Sequence, residues 1–204
     1  MNKGLCYVVG AGEKAGAFTP EKGDFVVAAD GGIDFLRQIG VVPDLFVGDL
    51  DSASRQPEDC LVMRFNTDKD KTDTALAVDE GLARGYRHFR IYGGLGGRLD
   101  HTLANIQLIC DLSTRGCFAE LVGDGTVLTA VTDGTLLLPF REKGTVSVFS
   151  HTDTSEGVFL SGLKYTLENA TLHNGFPLGV SNAFIGEEAS VSVRTGTLLV
   201  CYGN

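Results

Sequence analysis

The feature that most constrains this fold is a change of hydrophobic period near residue 127. Before it, short apolar runs alternate with stretches of helical spacing. Residues 5–9, 25–29, 45–47, 60–65 and 89–92 read as buried strands, and 33–39 as a short helix. Two longer helices are expected. Over 72–84, Ala75, Leu76, Leu82 and Ala83 share a face, and Gly85 stops the pattern. Over 99–115, Leu99, Leu103, Ile106 and Cys110 recur at three- and four-residue steps before Gly116. Strands alternating with such helices predict an α/β fold with a mostly parallel, Rossmann-like sheet, whose ligand site lies at the carboxyl ends of the strands. After residue 127 the period becomes two, over 145–149, 189–194 and 197–202, with Gly, Asn, Asp and Ser between. That pattern predicts a small antiparallel β-sandwich. The expected domains are 1–128 and 129–204, with strand-like segments at 121–122 and 127–131 near the boundary.

With 204 residues, 43% of them hydrophobic, the chain can build such cores without disulfides. Its longest apolar runs, such as 136–138 and 198–201, fall far short of the roughly 20 residues that cross a bilayer. Five cysteines, widely spaced and without a C-x-x-C pair, read as reduced packed thiols and point to the cytoplasm. A net charge of −9 opposes long-range attraction to nucleic acid or anionic membrane. A small anionic substrate remains open to it, since backbone amides, an Arg or a protein-held cation can hold phosphate.

The carboxylates are concentrated where the predicted strands end: Asp30 in ADGG, Asp49 and Asp51 in GDLDS, Asp68, Asp70 and Asp73 in DKDKTD, and Asp100 in GGLGGRLDH. If the chain stays extended beyond Gly48, Asp49 and Asp51 point to one side. Ionised carboxylates brought together repel, and a cation between them relieves that cost. Oxygen-only ligands without His or Cys suggest Mg²⁺ bridging carboxylates to phosphates. Any one Asp here also has an ordinary role as turn former or helix cap. Turn chemistry accounts for one carboxylate per loop, and GDLDS and DKDKTD each carry more.

Gly93, Gly94, Gly96 and Gly97 follow a predicted strand and open the 99–115 helix, where close backbone approach and unpaired N–H groups suit an anion. Arg98 in that loop can grip phosphate, and Asp100 and His101 fall in the first helical turn. The loop is neither a P-loop nor a clean G-x-G-x-x-G. Gly10 to Gly12 and Asp30 to Gly32 follow the first two strands and either close around a nucleotide or form ordinary turns. Tyr7, Tyr92 and Phe46 read as core.

Taken in order, ADGG at 29–32, PDLFVGDLDS at 43–52, DKDKTD at 68–73 and GGLGGRLDH at 93–101 resemble thiamine pyrophosphokinase, as do GLKY at 162–165 and GVSNAF at 179–184 in the second half. The chain departs from the family's pattern at Ala183. The resemblance implies a cytoplasmic homodimer that moves a pyrophosphoryl group from ATP to the thiamine hydroxyl, at sites between subunits. It implies Mg²⁺ held by Asp49, Asp51 and Asp73, with Arg98 on phosphate and Asp100 orienting or deprotonating the attacking hydroxyl. Asp30, Gly31, Gly94, Gly96, Gly97, Arg98 and His101 would meet ATP. Asp70, Asp100, Ser181 and Asn182 would face thiamine, with Tyr165 or Phe184 stacking on a ring. Two alternatives use the same residues differently: a metal-dependent nucleotide-sugar glycosyltransferase reading Asp49-Leu50-Asp51 as D-x-D, and a nucleotide or thiamine sensor without turnover. The first leaves DKDKTD, GGLGGRLDH and the β domain without a job, and the second has no need of a metal cage.

Overall fold

Gly32 shows how tightly the first elements meet: a Cβ on it would lie 1.8 Å from the Val9 carbonyl oxygen, so only glycine lets the chain start a helix there. The computed structural model describes residues 4–13, 15–48, 60–64 and 70–203. Its elements run β1 (Cys6–Val9), β2 (Phe25–Ala29), α1 (Gly32–Gln38), β3 (Leu45–Gly48), β4 (Leu61–Arg64), α2 (Asp73–Ala83), β5 (His88–Tyr92), α3 (Leu99–Thr114) and β6 (Phe118–Gly123). Eight strands follow: β7 (Thr126–Thr132), β8 (Thr135–Leu137), β9 (Thr145–Ser150), β10 (Thr154–Ser161), β11 (Leu167–His173), β12 (Gly179–Ala183), β13 (Ser190–Ser192) and β14 (Thr197–Gly203). The chain forms two compact units; the first extends to Leu108 and takes in Ala119–Asp124, and the second comprises Ile109–Phe118 and the chain from Gly125.

In the first unit the strand order is β6-β5-β1-β2-β3-β4. β1 pairs parallel with both β2 and β5, and β2–β3 and β3–β4 are parallel too. The register puts Cys6 beside Phe89 and Val8 beside Ile91 on one face, with Tyr7 and Val9 on the other. Tyr7 and Val9 pack with Ile33 and Leu36 of α1. On the opposite face α2 approaches through Gly81, where a Cβ would sit 2.7 Å from both the Cys6 sulfur and a Phe89 ring carbon. Helices on both faces bury β1 and β2 completely, which is why both are uninterrupted apolar runs. Tyr7, Tyr92 and Phe46 are core, as expected.

Three expectations shift. β4 stands at the end of the strand order with Leu61 68% exposed, so the run predicted as a buried strand is an edge. The face α2 buries is Ala77, Val78 and Gly81, because Gly81 sets the closest approach to the sheet. In α3, Cys110 of the expected face is buried, but Leu99 and Leu103 are exposed and Asn105, Ile109 and Leu112 are buried with it. Asn105 donates to the Gly94 carbonyl at 2.9 Å, which fixes the helix in that rotation. The predicted stops hold: Gly85 and Gly116 both take positive φ just past their helices.

The second unit is a sandwich. One layer runs β12-β9-β14-β7 and the other β11-β10-β13-β8, antiparallel throughout. Val146 and Val148 of β9, Val158 and Leu160 of β10, Val191 of β13 and Leu198 and Val200 of β14 fill its interior. Their spacing of two is the alternation seen in the sequence. Among the described residues no helix is long and apolar enough to cross a membrane.

Candidate active site

Strand order decides where the site lies. From β1 the chain moves outward through β2, β3 and β4, then returns to place β5 on the other side of β1. The loops leaving β1 and β5 therefore diverge at their carboxyl ends, the position where open α/β sheets bind ligands. Here the structure has a cleft of about 330 Å³, lined by Gly10 to Gly12, Asp30, Thr72 to Thr74, the Gly93 to Gly97 loop, Arg98 and His101.

Glycine makes this cleft because the two loops touch backbone to backbone before they part. The Gly12 N–H donates to the Gly93 carbonyl at 3.0 Å. A Cβ on Gly12 would lie 2.3 Å from that oxygen, and one on Gly93, whose φ is +66°, would lie 2.4 Å from the Gly10 carbonyl oxygen. Two helices begin at the cleft, α2 beside Asp73 and α3 beside Arg98. Thr72 caps α2 by accepting from the Ala75 N–H at 3.2 Å. Each helix start adds the positive end of a dipole, so the cleft suits an anion such as a phosphate chain.

Of the ATP-facing residues expected from sequence, the cleft brings together Asp30, Gly94, Gly96, Gly97, Arg98 and His101. Gly31 is at the N-cap of α1 and outside the lining. Asp30 adopts a left-handed φ of 49°, and its N–H donates to Val47 at 2.8 Å. Asp100 sits beside the lining, held by Arg98: Nε donates to Oδ1 at 3.1 Å and a terminal nitrogen to Oδ2 at 2.5 Å. Those hydrogen bonds hold the Asp100 carboxyl down to about 2. Asp70 is exposed ahead of α2 and away from the lining.

Asp49 and Asp51 lie outside the described residues. The chain that carries them leaves β3 at Gly48, where a Cβ would come within 3.3 Å of Asp30 Cα. Among the described residues no three His, Cys, Asp or Glu side chains converge as a metal cage. Asp73 in the cleft wall is a hard oxygen donor, a donor type that fits Mg²⁺ and not a soft metal.

Sequence reasoning missed Asn105, Thr72 and Thr74. Asn105 is 5% exposed, and nothing in the sequence sets it apart from the other polar residues of α3. Thr72 was legible as a cap before an acidic first turn.

The second unit has its own cleft, of about 240 Å³, between Leu160, Tyr165, Leu167, Leu178, Val180 and Asn182. Tyr165 is 59% exposed and its ring carries the Lys164 ammonium at 5.2 Å. Phe184 is 4% exposed in the sandwich core, so Tyr165 is the aromatic of the pair that reaches solvent. Ser181 is exposed with a left-handed φ of 61°, and its N–H donates to the Ser147 hydroxyl. Asn182 is buried, its amide engaged with the Tyr165 backbone.

Both halves have counterparts among known proteins. A sequence model for "Thiamin pyrophosphokinase, catalytic domain" matches residues 19–119, and one for "Thiamin pyrophosphokinase, vitamin B1 binding domain" matches residues 135–199. The curated thiamine pyrophosphokinase of Bacillus subtilis (strain 168) is 27% identical over 181 residues, 85% of each chain. Among solved structures, thiamine pyrophosphokinase from Bacillus subtilis superposes with a TM-score of 0.89 at 26% identity, covering 98% of this chain and 99% of that one. The thiamin pyrophosphokinase of Geobacillus thermodenitrificans gives 0.86 at 28% identity, over 98% and 97%.

Proposed function

The chain belongs to the thiamine pyrophosphokinase family, and from that premise we propose that its first-unit cleft binds the ATP triphosphate and delivers a pyrophosphoryl group to the hydroxyl of thiamine, releasing AMP. The observation that carries this reading is the glycine-walled cleft at the carboxyl ends of β1 and β5, with two helix N-termini beside it and Arg98 and Asp73 in its wall. Residues 1–128 would carry the nucleotide function and 129–204 the vitamin function, in agreement with the order of the two family matches.

The chain's own groups have distinct tasks. Backbone N–H groups of the two glycine loops cradle the phosphates without reorganising, and Arg98 adds charge where it develops in transfer. Mg²⁺ held by Asp49, Asp51 and Asp73 would neutralise the triphosphate when bound. Asp100, ionised and within reach of Arg98, would orient the thiamine hydroxyl and accept its proton. In the second unit Tyr165 offers a ring face to a ring of the cationic vitamin, and the exposed Ser181 offers a polar group. Asp30, Gly94, Gly96, Gly97 and His101 would wall the nucleotide.

We further infer a cytoplasmic homodimer in which the second unit of one chain brings thiamine to the first unit of its partner. Each unit exposes apolar side chains that an interface would cover, Leu103 in the first and Leu137, Phe140 and Phe176 in the second, which supports this reading. Incubation of the purified protein with Mg-ATP and thiamine tests the reaction. Equal amounts of AMP and thiamine diphosphate, formed only when thiamine is present, are expected. ADP with thiamine monophosphate would overturn pyrophosphoryl transfer.

A further inference from the structure

The amide of Asn182 does the work of a missing backbone. Leu163 and Phe184 form an antiparallel bridge, and the Lys164 N–H donates to the Ala183 carbonyl at 2.9 Å, so the next partners would be Tyr165 and residue 182. At that point β12 is irregular. Its register against β9 runs from Gly179↔Val148 to Asn182↔Val146, three steps on one strand against two on the other. Ser181, with φ of 61°, takes up the extra residue. In a regular strand residue 182 would share the side of Val180, which is 42% exposed; the bulge turns Asn182 inward to 3% exposure.

Once turned, Asn182 closes on both backbone groups of Tyr165. Its Oδ1 accepts from the Tyr165 N–H at 2.9 Å, and its Nδ2 donates to the Tyr165 carbonyl at 2.6 Å. Oδ1 also accepts from the Ala183 N–H at 2.9 Å. Both acceptor sites of the amide oxygen are therefore occupied within the protein. The Tyr165 main chain is fixed at two points while its ring, with Lys164 over it, lines the cleft walled by Leu160, Leu167 and Leu178.

We propose that Asn182 is a positioning residue for the vitamin, acting through Tyr165: the β12 bulge aims its buried amide at the Tyr165 backbone, and this sets the pose of the ring that thiamine meets. The inference rests on the reading that the second unit receives thiamine. Pre-set aromatic pose lowers the ordering cost of binding and selects the productive geometry.

A mutant cycle tests it, with steady-state constants measured for each substrate. Asn182→Ala should raise the thiamine KM about tenfold and leave the ATP KM within about twofold. In a Tyr165→Ala background the same change should add less than about twofold, because the group it positions is already gone. Full multiplication of the two effects would overturn the proposal, showing that Asn182 meets the vitamin itself. A thiamine KM unmoved by either single change, or equal rises in both KM values, would overturn it too. Asn182→Ser stays uncharged and polar at this buried position but is too short to hold both Tyr165 backbone groups, so it should fold and show a thiamine KM rise through the same dependence on Tyr165. If Asn182→Ala fails to fold, that variant is read by the same criteria. Failure of the functional reading is separate: the unmodified protein would then make no thiamine-dependent AMP.

Discussion

At the scale of the residue, Arg98 and Asp100 are each other's partners before any substrate arrives. Both are largely exposed, 71% and 65% by side chain, and water screens an exposed ion pair, so a phosphate can draw Arg98 away cheaply. While the pair is closed, Asp100 is a poor base, since Arg98 holds it at about 2 against an ordinary value of 3.8. Nucleotide should therefore raise the Asp100 carboxyl, a shift readable by carboxyl NMR titration. Arg98→Ala should return it toward 3.8 without nucleotide and lower kcat/KM by about a hundredfold or more through lost charge stabilisation. The linked contribution to stability has a fixed sign. A depressed carboxylate stabilises the fold above pH 3.8 and loses that contribution as pH falls toward 2, so Arg98→Ala should flatten the acid limb of unfolding in that window.

At the scale of the element, the tightest constraint is the approach of α2 to the sheet. Alanine is normally the better helix former by about 1 kcal/mol, and Gly81, in the last turn of α2, is a position where part of that gain should appear. The Cys6 sulfur and Phe89 ring at 2.7 Å from a built Cβ reverse the sign. Overpacking typically costs about 1–3 kcal/mol, so Gly81→Ala should destabilise by about 1 kcal/mol net in urea unfolding. A gain in stability would show that α2 can move off the sheet. The same geometry explains what was legible in the helices. Their stops were visible as Gly85 and Gly116, while their buried faces were not, because the apolar residues of α3 occupy more than one stripe. Asn105 on Gly94 selects between the stripes, and a hydrogen bond 11 positions apart leaves no periodic trace.

At the scale of the whole molecule, the buried thiols couple stability to alkaline pH. Burial pushes the Cys6 thiol up to about 12 from 9.0. Between those values the unfolded chain has lost the proton that the folded chain keeps, so stability falls as pH rises through the window. Cys6→Ala should make that decline shallower, measured as unfolding free energy from pH 9 to pH 11, although the cavity lowers stability at neutral pH. An unchanged slope would place the alkaline sensitivity on other groups. Cys110, raised to about 11 by burial, is the next to examine.

The sequence by itself determined the division into an α/β half and a β half, since period and breaker residues are local properties that hydrophobic burial reads directly. It also determined the chemistry available at the strand ends, because carboxylates, glycines and Arg98 are visible as residue types in order. Tertiary structure alone decided which of them meet. The parallel pairing of β5 beside β1 joins Gly12 to Gly93 across some 80 residues of chain, and that contact depends on strand order, which no local pattern encodes. It likewise left Tyr165 at the surface and sent Phe184 into the core, the latter because one extra residue in β12 reverses which side the side chains after it face.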